Sequence, residues 1–244
     1  MKTPIIQRPS PNFNQRDLPI SILVVHFTHM HTAELALQRL TDTAAQVSAH
    51  YLISKTGEIY QLVEESKRAW HAGVSSWRGE KDVNSASIGI ELDYAPPDEG
   101  PAPDYDPRLL QSLIELSGDI VQRHSIAPRN VVGHSDVAPA RKVDPGVKMV
   151  WPRLARHGVG LWIDPPATQA VDALRLGDTG PAVAAFQKAM SSYGYGINQD
   201  GVFNAETQQV VSAFQRHFRR EKVDGIADAQ TQTLIYALCR AAIS

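Results

Sequence analysis

Five short apolar runs punctuate the first 134 residues of the chain, and their lengths are those of buried strands. They are ISILVV (20–25), YLISK (51–55), EIYQLV (58–63), IGIEL (88–92) and NVVGH (130–134). Segments with helical spacing or loop composition separate most of these runs. Because strands that alternate with helices form a sheet covered by helices, the pattern predicts an α/β domain.

Local signals predict how some of these elements are connected. A Thr-Gly pair at 56–57 separates the second and third runs and indicates a hairpin. A helix is predicted over 107–124, because Asp106 can cap it, Pro107 suits its first position and apolar residues recur every three or four positions. An earlier helix is predicted over 32–40.

A proline-bearing segment, IDPPATQAVDA, separates this region from the rest of the chain. Adjacent prolines cannot continue a helix, and they stiffen a connection. We therefore predict one domain over 1–165, a linker over 166–173 and a second domain over 174–244.

The second domain carries a weak internal repeat. DGVFNAETQ (200–208) and DGIADAQTQ (224–232) each join an Asp-Gly turn to a residue, Asn204 or Asp228, that can cap a helix. Apolar residues at helical spacing follow both copies and also follow LRLGDTGPAV (174–183). The pattern predicts a small domain of three short helices with its own core.

The segment VVGHSDVAPARKVDPG (131–146) carries the strongest chemical signal. It brings together His134 and Asp144, an imidazole and a carboxylate of the kind that a catalytic zinc uses. Such a site takes three protein ligands, so one more must come from elsewhere in the chain. His26 is the leading candidate, because it follows a buried strand and would lie at its end.

Two charged residues are candidates for the chemistry beside such a metal. Lys142 is a poor ligand but suits a charge aimed at an oxyanion. Glu91 shares one strand face with Gly89, whose missing side chain leaves space beside it. From this spacing alone, a catalytic carboxylate and a solvated strand carboxylate are equally good interpretations of Glu91.

A resemblance covers most of the first 165 residues. The matching segments, in order, are VVHFTHM (24–30), SAHYLISKTGEIYQLV (48–63), AWHAGVSSWRG (69–79), SIGIELD (87–93) and GHSDVAPARKVDPG (133–146). Through them the chain resembles the zinc-dependent N-acetylmuramoyl-L-alanine amidases of the amidase 2 family, and within it the AmpD/AmiD branch. The resemblance implies Zn²⁺ bound by His26, His134 and Asp144, with Glu91 and Lys142 as the catalytic pair. It also implies a mixed central sheet flanked by helices, as in peptidoglycan recognition proteins.

The same resemblance suggests substrate-binding residues. Aromatic, imidazole and guanidinium groups near the site suit stacking on a sugar and pairing with a stem peptide. The candidates are His50, Tyr51, Trp70, His71, Trp77 and Arg78. For Tyr51 a packing role is an alternative, since Glu91 already serves for proton transfer.

The C-terminal segments LRLGDTGPAVAAFQ, DGVFNAETQQVVSAFQ and DGIADAQT resemble the peptidoglycan-binding domain type 1 family. Together the two resemblances imply hydrolysis of the amide between N-acetylmuramic acid and L-alanine in peptidoglycan or its muropeptide fragments, for cell-wall turnover or recycling. The alternatives are a non-catalytic peptidoglycan recognition protein and a phage-type endolysin. A mere binder has no need of Asp144, Glu91 and Lys142.

Composition narrows the partners and the compartment. The formal net charge of −2 gives no electrostatic footprint for nucleic acid, and no apolar run is long enough to span a membrane. The N-terminal segment lacks the apolar core of a secretory signal, so we expect a cytoplasmic protein, or an envelope protein if a signal was removed. We favour a monomer whose partner is peptidoglycan or muropeptides.

Overall fold

The computed structural model describes residues 3–168 and 170–242. The outermost positions of the two predicted domains (1, 2, 243 and 244) and position 169 of the predicted linker lie outside the described residues. No helix within the described ranges is long and apolar enough to cross a lipid bilayer.

A six-stranded sheet forms the centre of the first domain, in the order β1-β5-β4-β7-β3-β8, and a two-stranded sheet pairs β2 with β6. The strands are β1 (Ile5–Gln7), β2 (Phe13–Gln15), β3 (Ile22–Phe27), β4 (Tyr51–Ile53), β5 (Ile59–Gln61), β6 (Lys67–Ala69), β7 (Ser87–Leu92) and β8 (Val131–Gly133). In the larger sheet only the β4–β5 hairpin is antiparallel, and the other neighbours are parallel. The predicted mixed sheet and its hairpin are therefore confirmed.

Helices cover the sheet and build the C-terminal part. They are α1 (Ala33–Thr41), α2 (Val83–Ala86), α3 (Pro107–His124), α4 (His134–Val137), α5 (Trp151–Arg156), α6 (Pro181–Tyr193), α7 (Ala205–Phe218) and α8 (Ala229–Ala241). The predicted cap of α3 is confirmed, because the Asp106 side chain accepts a hydrogen bond from the Arg108 amide. Thr32 caps α1 in the same way.

The two faces of the sheet have different roles. Alternate residues of β3 and β7, including Leu23, Val25, Ile88 and Ile90, pack with α3 and α5 into one buried cluster. The opposite face is covered by α1 on one side and by the C-terminal helices on the other. This second face, between its two covers, is where the polar residues of β3 and β7 lie.

The hydrogen bonds of the C-terminal module, which is formed by α6, α7 and α8, explain the internal repeat in its sequence. Gln187 near the middle of α6 donates to Asp200 Oδ1 and the Val202 carbonyl and accepts from the Gly201 amide. Gln215 of α7 makes the same set of bonds to Asp224, Ile226 and Gly225. Each buried glutamine thus fixes the Asp-Gly turn that begins one copy of the repeat.

The core of the module continues into the first domain, which the sequence did not indicate. Trp77 and Val137 of the first domain lie in one buried cluster with Tyr195 and Phe214 of the module. Backbone bonding also crosses the boundary, since the Arg78 amide donates to the Gly194 carbonyl. The domain boundaries themselves stay a prediction.

Candidate metal centre and active site

Three side-chain atoms converge at one buried point on the second face of the sheet. His26 Nδ1 lies 2.9 Å from His134 Nδ1 and 3.2 Å from Asp144 Oδ2, and His134 Nδ1 lies 3.0 Å from the same carboxylate oxygen. All three residues are buried. Two imidazoles and one carboxylate are a donor set that zinc binds in catalytic sites.

The topology brings these three residues together. β3 and β8 are parallel neighbours, so their carboxyl ends meet at one edge, where β3 carries His26 and α4 begins at His134 directly after β8. Asp144 lies in the loop that follows α4, and the Ser135 amide holds that loop by donating to the Asp144 carbonyl at 2.9 Å. Neighbouring strands and one short helix thus deliver ligands that are far apart in sequence.

Hydrogen bonds on the far side of each ring set the tautomers. His134 Nε2 lies 3.2 Å from the Ala72 carbonyl, which can only accept, so this nitrogen carries the proton. His26 Nε2 donates to His71 Nδ1 at 2.9 Å, and His71 Nε2 donates to the Ser87 hydroxyl at 3.2 Å. That hydroxyl donates in turn to the Val83 carbonyl.

This relay leaves a lone pair on Nδ1 of both ligand histidines, directed at the point where the three ligand atoms meet. Burial, with the neighbouring His134, lowers the pKa of His26 to about 4, so His26 is neutral at physiological pH. Neutral imidazole is the form that a metal requires. The chemistry of the donor set therefore fits a divalent cation such as zinc.

Glu91 lies beside this cluster on β7, opposite His26 in the strand register. Its Oε2 atom is buried and has no hydrogen-bond partner within the described residues. Burial, with Asp144 nearby, raises the pKa of Glu91 to about 8, although Lys142 acts in the opposite direction. A buried carboxylate without a partner is costly, and such groups are typical of sites where a proton is moved.

The cluster opens into a cleft of about 370 Å³. Lys142 lines the cleft together with Glu91, His134 and Asp144. With His26, which belongs to the same cluster, the structure brings together all five residues on which the predicted chemistry depends.

The position of the His71 ring requires a glycine at position 89. A Cβ atom at position 89 would lie 2.5 Å from His71 Cγ, closer than real atoms approach. The space beside Glu91 that the sequence indicated is therefore filled by the imidazole that orients His26. The Asn84 side chain fixes the same loop by accepting from the amides of His71 and Ala72 at 3.0 and 2.7 Å.

The predicted substrate-binding residues divide into two groups. Trp70 and His71 line the cleft, and the Trp70 indole donates to Asn14 Oδ1 at 2.6 Å. His71 accepts a hydrogen bond from His26, so His71 supports this proposed metal ligand as well as forming part of the cleft wall. A substrate contact by Trp70 and His71 stays a prediction.

The other four do not line the cleft, and a substrate contact by them stays a prediction that this geometry does not favour. His50 is fully buried and accepts from the Gly89 amide, and the Tyr51 hydroxyl donates to Glu65 on the opposite face of the sheet. Trp77 is only 1% exposed and packs on Tyr195 of the module. Arg78 lies at that same boundary.

Comparison with known proteins agrees with this geometry. The profile of the N-acetylmuramoyl-L-alanine amidase family matches residues 16–147, and one described as a peptidoglycan binding domain matches residues 179–235. The N-acetylmuramoyl-L-alanine amidase AmiD of Escherichia coli K12 is 39% identical over 230 residues, which span 90% of this chain and 82% of that protein.

Solved structures show the same likeness. AmiD from E. coli, in complex with the substrate anhydro-N-acetylmuramic acid-L-Ala-D-gamma-Glu-L-Lys, superposes with a TM-score of 0.80 at 35% identity, covering 93% of this chain and 92% of that one. AmpDh3 from Pseudomonas aeruginosa gives a TM-score of 0.77 at 31% identity, with 95% and 96% of the chains covered. The chain belongs to the N-acetylmuramoyl-L-alanine amidase family.

Proposed function

We propose that this chain is a zinc-dependent amidase that hydrolyses the amide bond between N-acetylmuramic acid and L-alanine in muropeptides. The observation that carries the proposal is the convergence of His26 Nδ1, His134 Nδ1 and Asp144 Oδ2 beside Glu91, whose Oε2 atom has no hydrogen-bond partner among the described residues. A catalytic zinc site has three protein ligands and keeps a fourth position for water, and two of the three residues that would hold the ion, His134 and Asp144, line the cleft.

The protein's own residues supply the steps of the reaction. A zinc ion held by the three ligands would provide Lewis-acid activation of the amide carbonyl and of water. Glu91 takes the proton of the attacking water and passes it to the nitrogen of the leaving amine. The Lys142 ammonium stabilises the negative charge that develops on the carbonyl oxygen.

A muropeptide suits the remaining walls of the cleft. Trp70 offers an aromatic surface for a sugar ring, and Arg39 and Arg141 line the cleft with guanidinium groups that pair well with stem-peptide carboxylates. The AmiD relative was solved with an anhydro-muropeptide as its substrate. We therefore propose anhydro-muropeptides as the first substrates to assay.

Metal removal tests the proposed function. Treatment with EDTA or phenanthroline should abolish release of the peptide from a soluble anhydro-muropeptide, and added Zn²⁺ should restore it. Asp144→Ala should weaken zinc binding, whereas His29→Ala, at an exposed histidine on the cleft rim, should not. Full turnover by metal-free protein would overturn the metal mechanism.

The size of the substrate needs a separate assay. A digest of intact sacculi beside soluble anhydro-muropeptides, followed by mass spectrometry of the released peptides, compares wall degradation with fragment recycling. Preferential release from sacculi would favour the endolysin-type alternative. Binding without release from either substrate would favour the recognition-protein alternative.

A further inference from the structure

A second buried carboxylate, Asp136, lies where the amidase sheet meets the C-terminal module. It is only 1% exposed and belongs to α4, the four-residue helix that begins at the ligand His134. The proposed mechanism makes no use of Asp136. A buried carboxylate is costly unless it is fully hydrogen-bonded, so its partners indicate why it is there.

Asp136 receives three hydrogen bonds, and two of them come from the module. Its Oδ2 atom accepts from the Gly133 amide and from His217 Nδ1, each at 2.7 Å. Its Oδ1 atom accepts from the Tyr195 hydroxyl, also at 2.7 Å. Both module donors are buried, with His217 on α7 and Tyr195 in the loop after α6.

Aromatic rings of the first domain and of the module hold these two donors in fixed orientations. The His217 ring stacks on Trp151 with centroids 3.9 Å apart and on Phe218 with centroids 4.0 Å apart. The Tyr195 ring packs edge-on against Trp77 at 5.2 Å. Neither donor can turn away from Asp136 without disturbing a packed aromatic neighbour.

The Asp136 carboxylate in turn fixes the start of α4. Its bond to the Gly133 amide caps the helix immediately before His134. The next amide of α4, that of Ser135, holds the backbone of Asp144. One short helix thus presents one proposed metal ligand and holds the loop of a second.

A helix of four residues cannot hold its own conformation, because helix nucleation is unfavourable and few internal bonds repay it. The position of α4 therefore depends on outside contacts, and two of them are the short hydrogen bonds that Tyr195 and His217 of the module donate to Asp136. Val137 of α4 also packs in the core that the two domains share, but a hydrophobic contact does not fix the orientation of the helix as a hydrogen bond does.

We propose that the C-terminal module is a structural part of the metal centre, with Asp136, Tyr195 and His217 as positioning residues for His134 and Asp144. This inference rests on the proposed zinc site. It assigns to the module a role that is distinct from retention on peptidoglycan.

Zinc affinity of the full-length protein tests the inference. Tyr195→Phe removes one donor to Asp136, and His217→Phe keeps the stacked ring while removing the other. Partners behind a ligand are typically worth about 10- to 100-fold in metal affinity, so we expect each variant to bind Zn²⁺ about 10-fold more weakly in competition with a chelator. The visible absorption bands of the Co²⁺-substituted protein should shift, which a general loss of stability would not cause.

Two further variants serve as controls. Tyr193→Phe removes a hydroxyl from another buried tyrosine of the same boundary, one that donates no bond to Asp136, and should bind Zn²⁺ like the wild type. His217→Asn carries an amide nitrogen at the position of Nδ1 and should restore most of the affinity. Far-UV circular dichroism establishes that each metal-free variant is folded.

The outcomes separate the inference from the proposed function. Unchanged Zn²⁺ affinity in folded Tyr195→Phe and His217→Phe would overturn the inference alone. Equal weakening by Tyr193→Phe, or no recovery in His217→Asn, would overturn the role assigned to the two donors. A wild-type protein that binds no Zn²⁺ would overturn the proposed function and the inference with it.

Discussion

The cleft and the boundary with the module each hold a carboxylate next to a proposed metal ligand, Glu91 opposite His26 and Asp136 on the same short helix as His134, yet the two carboxylates have opposite surroundings. Asp136 at the boundary receives three hydrogen bonds, and its bonds hold α4. One oxygen of Glu91 in the cleft has no hydrogen-bond partner in the part of the chain that the structure describes, and burial raises the pKa of Glu91. A carboxylate that is fully paired holds structure, whereas one left unpaired is available for proton transfer.

The histidines of the two regions repeat this contrast. His217 at the boundary is locked between aromatic rings and donates to a structural carboxylate. The Nε2 atoms of His26 and His134 are held by His71 and by the Ala72 carbonyl, while their Nδ1 atoms lie close to each other and to Asp144. Residue type alone does not distinguish these roles, and the partners of each ring do.

Substitution of Glu91 should give the largest effect. Glu91→Gln keeps the size of the side chain but removes the group that accepts the proton, so we expect kcat to fall by about 10²- to 10⁴-fold. Zn²⁺ affinity should stay close to that of the wild type. Turnover and chelator competition measured on one preparation check both parts, and near wild-type turnover by the zinc-loaded variant would remove Glu91 from the mechanism.

Asp136→Asn is the matched substitution at the boundary. It should act mainly on Zn²⁺ affinity, because the side chain supports α4 and does not line the cleft. A variant with wild-type affinity and a lowered kcat would break the contrast between the two carboxylates.

Loss of the cleft cation should have the next largest effect. Lys142→Ala should lower kcat by about 10²- to 10³-fold, the usual result of removing an oxyanion partner. Lys148→Ala is the control, since Lys148 lies outside the cleft lining and pairs with the exposed Asp104. If both variants turned over substrate at the same rate, Lys142 would be an ordinary surface charge.

Loss of the hydrogen-bond relay behind His26 should have a smaller effect, and the quantity it lowers should be Zn²⁺ affinity. His71→Ala removes the acceptor for His26 Nε2, so the ligand ring loses its orientation and Zn²⁺ affinity should fall by about 10- to 100-fold. Chelator competition measures this change, with His29→Ala as the control. An unchanged affinity would mean that packing alone orients His26.

Much of the fold and the metal centre could be predicted from the sequence because the signals are local or depend on strand ends. The spacing of apolar residues indicated α3, and a cap at Asp106 indicated where it begins. His26 and His134 could be paired because each comes at the end of an apolar run, and the ends of parallel strands meet. The short strands β1, β2 and β6 carry no comparable pattern and were missed.

Contacts between distant parts of the chain could not be predicted in this way. Asp136 is separated by 59 residues from Tyr195 and by 81 from His217, and no spacing rule connects them. Trp77 has the residue type of a sugar-stacking side chain, yet the module covers it. Whether a loop aromatic faces a cleft or a second domain depends on docking, about which composition gives no information.

Substitution of Tyr51 should have the smallest effect, and it tests whether the chemistry is confined to one face of the sheet. Its hydroxyl donates to Glu65 at 2.8 Å on the face opposite the cleft, and Glu65 keeps contacts with Arg123 and His124 when that hydroxyl is removed. Tyr51→Phe should therefore lower the free energy of unfolding by about 1 kcal/mol, the usual net value of one such bond, and leave kcat unchanged.

Urea denaturation and turnover on the same samples check this expectation. Tyr60→Phe is the matched control, because its hydroxyl makes a weaker, exposed bond to Glu58 at 3.3 Å and its loss should change stability by less than about 0.5 kcal/mol. A folded Tyr51→Phe variant with greatly reduced turnover would return Tyr51 to the active site. It would then also break the assignment of chemistry to only one face of the sheet.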